Sequence, residues 1–561
     1  MSANLPARVL ARAQAGPQRA ILRRKRYGIW TPITGAEFTR AVADCAAGLL
    51  AAGLRRGETA GMLAAGSPEW LIADLAIQSV GGVSAGFDVG ASAGELAPLM
   101  RRCGVRILFV DVLDTLVTAL EIADACPDLL SIVCFDSAIA AEFDDARVSS
   151  FEALTAKVAP TRASAPWADL AAGARAAIIP TSGASASPKA AVFDHVAMCA
   201  AVDIGLSLVE MREGDERLSL MAASHHFERV FGYYAALVAG VVVNFPESAE
   251  TAFEDLREVQ PHVVTGPPAL WRKIARSLAR SGADATKFQR AMFDRAMRSA
   301  GGLVGRLVLA KVRRDLGLGR VRTALSAGAR LAPDARRTLA ALGVDVSDVY
   351  SLTEMAGPLA IASDGMREFT LASAVIADIG ATGELRLRSS ALCSGYVDDM
   401  LGADGWCETG DIAAPGPGGA VTLLGPRDSF VPGGAQPLPA WSIEDLIEAS
   451  PYVSACIVDG ETPEELSAIV LIDYDNVVRY AQAKLTPFTH YRSLIEAPDI
   501  RSLFDQEIAC VNAMIAPSRI VDLVLADRPI RPGDPELGPA ANLRRRVVLQ
   551  SFSGGATDAS G

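Results

Sequence analysis

The chain reads IIPTSGASASPK from Ile178 to Lys189. A β-branched run ends at Pro180, and a loop of hydroxyls, one glycine and very small side chains then closes on Pro188 and Lys189. Small residues let backbone N–H groups approach an anion closely, the hydroxyls donate further hydrogen bonds, and a lysine supplies positive charge. The stretch therefore predicts a phosphate site, with an ordinary Ser/Gly/Ala turn as the alternative interpretation.

The residues of this loop are the first candidate ligands of a nucleotide. They are Thr181, Ser182, Gly183, Ser185, Ser187 and Lys189. Their spacing differs from the GxxxxGK[ST] loop of the P-loop NTPases, because the second glycine is absent and the lysine follows a proline.

Length and composition predict a multidomain globular protein. The 561 residues exceed what one hydrophobic core normally holds, so we expect two or three domains. Half of the residues are hydrophobic and 21% are charged, which is typical of a compact enzyme and not of a disordered chain. The net charge of −12 argues against a nucleic-acid partner, because phosphate neutralisation needs a basic face.

Cysteine usage and hydropathy indicate a cytoplasmic protein. The nine cysteines are scattered singly with no CxxC pair, which favours a reducing compartment over a zinc site or a disulfide framework. Residues 1–28 carry several arginines but no apolar core of signal-peptide length. The longest apolar stretch, residues 233–245, is too short to cross a bilayer.

Strand-like and helix-like segments alternate through the first half of the chain. Thr34 and Glu37 form a capping box that predicts the start of a helix. The next predicted strands are 59–63, 107–112 and 132–135, with helices between them. This alternation predicts an α/β fold with a mostly parallel sheet covered on both faces.

A change of composition predicts the domain boundary. Proline and glycine crowd residues 414–419 and recur at 432–434, and smaller strand and helix segments follow. We therefore expect a large domain over 1–424, a small C-terminal domain over 425–553 and a loose tail over 554–561.

Two further motifs offer oxygen ligands, one at a predicted strand end and one after a glycine turn. Thr353 and Glu354 follow a strand with a hydroxyl and a carboxylate side by side, a pair suited to Mg²⁺ that bridges nucleotide phosphates. Asp411 closes the segment 404–411 after a glycine turn and is suited to ribose hydroxyls. An ordinary strand end and a surface turn are the respective alternatives.

In this order the motifs resemble the AMP-forming adenylate family of acyl-CoA ligases, luciferases and peptide-synthetase adenylation domains. Residues 181–189, 350–354 and 409–411 look like its phosphate loop, its Y-G-x-T-E motif and its T-G-D motif. Residues 224–231, SHHFERVF, look like the S-H-x-x-E-R-V-F segment of the long-chain fatty acyl-CoA synthetase branch. Further segments with counterparts in that branch are 28–30, 266–271 and 536–539.

The resemblance, which runs from about residue 20 to about residue 550, implies both fold and chemistry. The fold would be α/β, with a large N-terminal adenylate-forming domain of parallel-rich sheets and helices and a small mobile α+β C-terminal domain. The activity would be an ATP-dependent, AMP-forming ligase that activates a medium- or long-chain fatty acid through an acyl-adenylate to acyl-CoA. ATP, Mg²⁺ and CoA would be its cofactors.

The resemblance also implies residue roles. Thr181, Lys189, His225, Glu354 and the position of Asn542 would be catalytic, with Glu354 as the metal ligand and His225 beside the acyl site. The remaining candidates for nucleotide binding are Thr353, Asp411 at the ribose, Tyr350 against the adenine, Gly328 and Ala329 passing close to the adenine, and Arg427. A hydrogen-bonded structural role for His225, and simple helix–strand packing for residues 327–329, are the alternatives.

Three departures from the family pattern predict a slower ligase. The late lysine of the family falls on Asn542, and losing a donor aimed at transition-state charge costs about 10² to 10³ in rate. Pro426 stands where the hinge arginine is usual, with Arg427 one position later, and Ala435 stands at a common lysine position. Ala184 replaces a loop hydroxyl, which removes a hydrogen bond worth roughly 0.5–1.5 kcal/mol.

Two alternative hypotheses remain open at this stage. One is a non-catalytic acyl- or nucleotide-binding protein descended from such ligases. The other is a ligase that uses an acyl-carrier protein as acceptor or performs one half-reaction only. A fatty substrate is compatible with peripheral membrane contact, although no strongly amphipathic basic segment demands it.

Overall fold

The computed structural model describes residues 4–156, 166–181, 189–284, 303–362, 367–399, 401, 404–432, 438–531, 534–537 and 543–552. Four predicted features lie outside these described residues: the interior of the phosphate loop with Ser182, Gly183, Ser185 and Ser187, the position of Ala435, the position of Asn542, and the tail 554–561.

The chain forms two compact units. Unit 1 contains Met1–Leu331, Ala335–Ala377 and Arg386–Cys407, and unit 2 contains Ala332–Asp334, Asp378–Leu385 and Glu408–Gly561. The domain boundary predicted between residues 424 and 425 stays a prediction.

The strands are numbered along the chain. They are β1 Ala20–Arg26, β2 Ile29–Thr34, β3 Thr59–Leu63, β4 Val83–Gly86, β5 Val105–Val110, β6 Ser131–Cys134, β7 Val148–Ser150, β8 Arg175–Pro180, β9 Ala190–Asp194, β10 Glu216–Leu218, β11 Val242–Phe245, β12 Val263–Gly266, β13 Thr323–Ala327, β14 Val346–Leu352, β15 Gly357–Ala362, β16 Glu368–Leu371, β17 Ile376–Ile379, β18 Glu384–Arg388, β19 Gly395–Tyr396, β20 Cys407–Pro415, β21 Val421–Pro426, β22 Phe430–Val431, β23 Leu438–Pro439, β24 Val453–Thr462, β25 Glu465–Ile472 and β26 Ile520–Leu525.

The α-helices lie between these strands and after them. They are Leu5–Ala15, Gly35–Ala51, Pro68–Ser79, Ala93–Cys103, Leu113–Ala123, Ser137–Ala141, Phe151–Ala156, His195–Leu208, Ala236–Ala239, Ala252–Val259, Pro268–Asp284, Leu303–Asp315, Pro333–Ala341, Trp441–Glu448, Tyr474–Lys484, Tyr491–Ile495, Pro498–Ile515 and Arg545–Phe552. Short 3₁₀ turns cover Pro166–Asp169, Thr353–Met355, Pro417–Gly419 and Arg427–Ser429, and Glu228–Ala235 is a π-helix.

Local sequence signals set the first long helix. The Thr34 hydroxyl accepts a hydrogen bond from the Glu37 N–H at 3.3 Å, and the Glu37 carboxylate accepts one from the Thr34 N–H at 2.8 Å. This is the predicted capping box, and it satisfies two N–H groups that a helix start leaves unpaired. One face of this helix is apolar and fully buried at Phe38, Val42 and Leu49.

An eight-stranded sheet in unit 1 has the order β19-β9-β8-β4-β3-β5-β6-β7. Its strands from β8 to β7 run parallel, and β9 runs antiparallel to both of its neighbours, β8 and the edge strand β19. All five residues of β3 are buried, as expected for a central parallel strand covered on both faces. The predicted parallel α/β arrangement is confirmed here.

A second sheet in unit 1 has the order β16-β15-β14-β13-β12-β10-β11-β1-β2. The strands from β14 to β1 run parallel, while β2, β15 and β16 are antiparallel additions at the edges. Ala327, the last residue of β13, lies opposite Val349 of β14, and β14 continues beyond this pair to Leu352.

Unit 2 has its own core. β24 pairs antiparallel with β25, β25 pairs parallel with β26, and the helix Pro498–Ile515 packs apolar residues against this sheet. The pair β20–β21 is antiparallel, with Asp411 opposite Pro426. Among the described residues of both units, no helix combines the length and the apolarity that crossing a bilayer requires.

Candidate active site

The carboxyl end of β14 carries the candidate metal ligand. After Leu352 the chain turns through the 3₁₀ segment Thr353–Met355 and reverses at Ala356, whose φ of 55° is in the left-handed region. It then returns antiparallel as β15. A non-glycine residue in this conformation is strained, so the turn at Glu354 is held by its surroundings.

Glu354 is held by the segment that contains β19. The Tyr396 hydroxyl donates to Oε1 of Glu354 at 2.8 Å, and the Cys393 N–H donates to the backbone carbonyl of Glu354 at 2.8 Å. Burial, and then the neighbouring Glu354 carboxylate, raise the pKa of Tyr396, so its phenol keeps its proton and acts as the donor. The sequence interpretation missed Tyr396, which no local motif singled out.

Both ends of the predicted phosphate loop are tied together at its base. The Thr181 N–H donates to the Lys189 carbonyl at 2.8 Å, and the Lys189 N–H donates to the Thr181 hydroxyl at 3.2 Å. Because β8 and β9 form an antiparallel pair, residues 182–188 connect two neighbouring strand ends. The Lys189 ammonium lies 4.6 Å from the centroid of the Tyr396 ring.

One tyrosine thus brings two predicted residues together. Its hydroxyl contacts Glu354 and its ring contacts Lys189, although these residues come from different sheets of unit 1. The lysine predicted to bind phosphate and the carboxylate predicted to bind a cation therefore share Tyr396 as a contact.

Two adjacent histidines stack near this strand end, and one of them contacts it. The His225 and His226 rings lie 4.3 Å apart. Nε2 of His226 is 3.2 Å from the Ser351 hydroxyl, and its Nδ1 is 3.3 Å from the Thr353 hydroxyl. The sequence interpretation singled out His225, whereas the contacts to β14 belong to His226.

His225 is uncharged at neutral pH. Its Nδ1 accepts a hydrogen bond from the Phe227 N–H at 3.3 Å. Burial lowers the pKa of His225 to about 4, because desolvation disfavours the charged imidazolium. Burial and the neighbouring His225 also lower the pKa of His226 well below its ordinary value.

Two buried ion pairs hold the π-helix that follows these histidines. Glu228 forms a two-pronged pair with Arg217 of β10, at 3.0 and 2.8 Å. Arg229 donates to Asp74 at 2.6 Å and to the Ser84 carbonyl of β4 at 3.1 Å. Since β10 and β4 belong to different sheets, adjacent residues of one π-helix bind both sheets of unit 1.

Glycines allow this close packing. A Cβ at Gly232 would lie 2.6 Å from Oε2 of Glu228, and a Cβ at Gly66 would lie 2.5 Å from the Tyr233 hydroxyl. The sequence signal that could have revealed this network is the adjacent Glu-Arg pair in the otherwise apolar segment FERVFGYYA, because buried charges are almost always paired.

The candidates for the adenine side lie at neighbouring strand ends. Gly328, with φ 94°, and Ala329 are exposed and directly follow β13. Tyr350 lies in β14 and makes an edge contact with the Phe369 ring at 6.0 Å. The parallel register of β13 and β14 pairs Ala327 with Val349, the residues that precede Gly328 and Tyr350.

Asp411 and Arg427 are residues of unit 2. The Asp411 N–H donates to the Thr409 hydroxyl at 3.1 Å, and that hydroxyl donates to the Leu385 carbonyl. Arg427 forms an ion pair with Glu384. Because Asp411 pairs with Pro426, the ribose candidate and the hinge candidate are close neighbours within this unit.

The sequence profile of the AMP-binding enzymes matches residues 10–397, well over half of the chain. The matched span contains both ends of the phosphate loop, the β14 end and Tyr396. The chain belongs to the AMP-binding enzyme family. The resemblance on which the sequence interpretation rested is confirmed.

Two curated relatives match almost the whole AMP-binding chain. Long-chain-fatty-acid–CoA ligase FadD15 of Mycobacterium bovis is 25% identical, over 98% of this chain and 96% of that protein. Long-chain-fatty-acid–CoA ligase ACSBG2 of Gallus gallus is 22% identical, over 94% of this chain and 77% of that protein. Both carry the name of the branch that the sequence resembles.

A solved structure shares the fold of this AMP-binding enzyme. The A-PCP didomain of a carboxylic acid reductase from Segniliparus rugosus, in complex with AMP, superposes with a TM-score of 0.78 at 18% identity, covering 98% of this chain and 80% of that one. The predicted α/β fold of the adenylate-forming enzymes, with its small C-terminal domain, is confirmed.

The donor set of this AMP-binding enzyme fits magnesium. Glu354 and Thr353 present a carboxylate and a hydroxyl, the hard oxygen donors that Mg²⁺ prefers. Within the described ranges, no three His, Cys, Asp or Glu side chains are grouped so that they could hold a metal by themselves. The carboxylate of Glu354 and the hydroxyl of Thr353 thus fit the oxygen-ligand chemistry of magnesium.

Proposed function

We propose that this AMP-binding enzyme is an ATP-dependent ligase that converts a medium- or long-chain fatty acid to acyl-CoA through an acyl-adenylate. The observation that carries the proposal is that Lys189 and Glu354 both contact Tyr396, at the base of the phosphate loop. The long-chain-fatty-acid–CoA ligases that match over almost the full chain support the choice of substrate class.

The proposed reaction has two displacements. A carboxylate oxygen of the fatty acid attacks the α-phosphorus of ATP, the bond from that phosphorus to the bridging oxygen breaks, and pyrophosphate leaves. The sulfur of CoA then attacks the acyl carbon, the bond to AMP breaks, and AMP leaves with the electron pair while the thiol proton passes to solvent.

In the first displacement negative charge builds on the leaving pyrophosphate. Lys189 and the donors of residues 181–187 would hold this charge, because fixed donors aimed at developing charge stabilise a transition state. Glu354, with Thr353 beside it, would hold the magnesium ion, which neutralises phosphate charge when bound. Thr181 closes the base of this cradle.

The remaining site residues would hold the nucleotide and the acyl group. Tyr350 would stack on the adenine, with Gly328 and Ala329 leaving room for it because neither has a large side chain. Asp411 would accept hydrogen bonds from the ribose hydroxyls. His225 would lie beside the acyl carboxylate. Because its ring is neutral at physiological pH, it would not form an ion pair with that carboxylate.

We also propose that the adenylation half-reaction is weakened. Asn542 keeps a hydrogen-bond donor but lacks the positive charge that the family uses at this position. Thioester formation does not depend on that lysine in the family, so it would be retained. In the family the hinge arginine stands at the position of Pro426. Arg427, which is paired with Glu384, would take its place here one position later.

CoA is the proposed acceptor because the relatives are named as CoA ligases. An acyl-carrier protein is the second candidate, since the A-PCP didomain has this fold in its adenylation part. A non-catalytic acyl- or nucleotide-binding protein is the third, and it is favoured by Asn542.

The test is product formation by the purified chain, read by mass spectrometry over a panel of fatty acids with Mg²⁺ and ATP. Acyl-CoA from the wild type, and none from Glu354→Gln, is the expected result. Glu121→Gln, an exposed residue of the helix Leu113–Ala123, is the matched control. A wild type that forms neither acyl-AMP nor acyl-CoA at any chain length, with or without a carrier protein, overturns the proposal.

A further inference from the structure

Residues 393–397 connect the turn that carries Glu354 to the strand that follows Lys189. At one end, the Cys393 N–H donates to the Glu354 carbonyl at 2.8 Å. At the other, the Val397 N–H donates to the Ala190 carbonyl at 3.0 Å. Between them β19 pairs antiparallel with β9, with Tyr396 opposite Ala191. The main chain thus places Tyr396 between the two predicted ligands.

The Tyr396 side chain then contacts each ligand in a different way. Its hydroxyl donates to one oxygen of the Glu354 carboxylate, so that hydrogen bond restricts the rotation of the carboxylate. Its ring face attracts the Lys189 ammonium at 4.6 Å. The ring carries no net charge, so it holds the lysine without neutralising its positive charge. A carboxylate partner would neutralise that charge.

We propose that Tyr396 is a positioning residue, which orients Glu354 for a nucleotide-bound divalent cation and Lys189 for the phosphates of the same nucleotide. This inference rests on the proposed function. The Tyr396 hydroxyl would fix the orientation of the carboxylate, and the Tyr396 ring would fix the position of the ammonium.

The two contacts can be separated by substitution. Tyr396→Phe removes the hydroxyl and keeps the ring, so only the orientation of Glu354 is lost. Tyr396→Leu removes both. The main-chain hydrogen bonds of residues 393–397 are retained in both variants, because they do not involve the Tyr396 side chain.

The experiment is calorimetric titration of the full chain with ATP, once in EDTA and once with saturating Mg²⁺. We expect Tyr396→Phe to bind Mg·ATP about 10- to 100-fold more weakly than the wild type, as when an orienting partner of a metal ligand is removed. Its affinity for ATP in EDTA should equal that of the wild type. Tyr396→Leu should also weaken binding in EDTA, by about two- to fivefold.

Tyr452→Phe is the matched control, because Tyr452 is likewise half-buried but lies in unit 2, where its ring contacts the Tyr480 ring. It should bind as the wild type does in both conditions. Equal loss of affinity with and without Mg²⁺ in Tyr396→Phe would show a merely structural role and overturn the inference, as would unchanged Mg·ATP binding.

The outcomes also separate this inference from the proposed function. A wild type that binds Mg·ATP, together with a Tyr396→Phe variant that binds it equally well, rejects the role of Tyr396 and leaves the ligase proposal standing. A wild type that binds no ATP in either condition rejects the ligase proposal and the role of Tyr396 with it.

Discussion

The guanidinium of Arg229 donates to the carboxylate of Asp74 at 2.6 Å, and both side chains are completely buried. Arg229 also donates to the Tyr234 hydroxyl at 3.1 Å. Removing one partner of such a pair leaves an uncompensated charge in the interior, which costs about 3–5 kcal/mol. We expect Arg229→Met to lower the free energy of unfolding of unit 1 by that amount in urea titrations.

The control is an exposed ion pair. Lys311 and Asp315 lie 2.8 Å apart on the helix Leu303–Asp315, with both side chains largely in solvent. Asp315→Asn should cost at most about 0.5 kcal/mol. Equal effects of the two substitutions would contradict the assignment of the buried pair as the link between the π-helix and the sheet that contains β4.

A pH dependence of stability follows from His195. Its ring is completely buried, neither ring nitrogen has a hydrogen-bond partner among the described residues, and burial lowers its pKa to about 4. Between pH 6.5 and 4 the unfolded chain therefore binds a proton at this residue that the folded chain does not. Stability should fall as the pH is lowered through this window, by about 3 kcal/mol from His195 alone.

His195→Leu should remove this part of the pH dependence. Urea titrations at pH 8 and at pH 5 should show that the variant gains stability relative to the wild type, with the larger gain at pH 5. The measurement at pH 8, where the imidazole is neutral in both states, isolates the packing effect. Parallel pH profiles of wild type and variant would count against a buried, neutral His195.

Substitution of His226 should lower the affinity for the nucleotide, and substitution of His225 should leave it unchanged. His226→Phe keeps the ring stack but removes the contacts to Ser351 and Thr353, next to Glu354. We expect its affinity for Mg·ATP to drop about tenfold, the effect of losing about 1.4 kcal/mol of hydrogen bonding. His225→Phe is the matched control and should instead raise KM for the fatty acid. The reverse pattern would exchange the two roles.

Asn542 offers a gain-of-function test. Asn542→Lys restores a charged donor, and we expect acyl-AMP formation to rise about 10²- to 10³-fold. Thioester formation from supplied acyl-AMP should stay unchanged. Asn542→Gln, which adds length without charge, should leave both rates near those of the wild type. An unchanged rate of acyl-AMP formation in Asn542→Lys would show that the position does not limit adenylation.

Local elements were well predicted where the chain carried its own signals. The Thr34–Glu37 capping box is present, and β3 has the predicted bounds 59–63. The strand predicted at 107–112 lies two residues earlier, at Val105–Val110, because pairing with β3 and β6 decides where it ends. Strand pairing is a long-range property, and an apolar run alone does not set the register.

The sequence by itself determined the family, the order of the motifs and the residues on either side of the phosphate loop, since these depend on residue type and short spacing. Only the tertiary structure decided that Tyr396 joins Lys189 to Glu354, and that Arg229 reaches Asp74 from 155 positions away. Such contacts depend on which strands are neighbours in the sheets. That arrangement minimises buried unpaired charge and unfilled volume over the whole fold, and no single stretch of sequence records it.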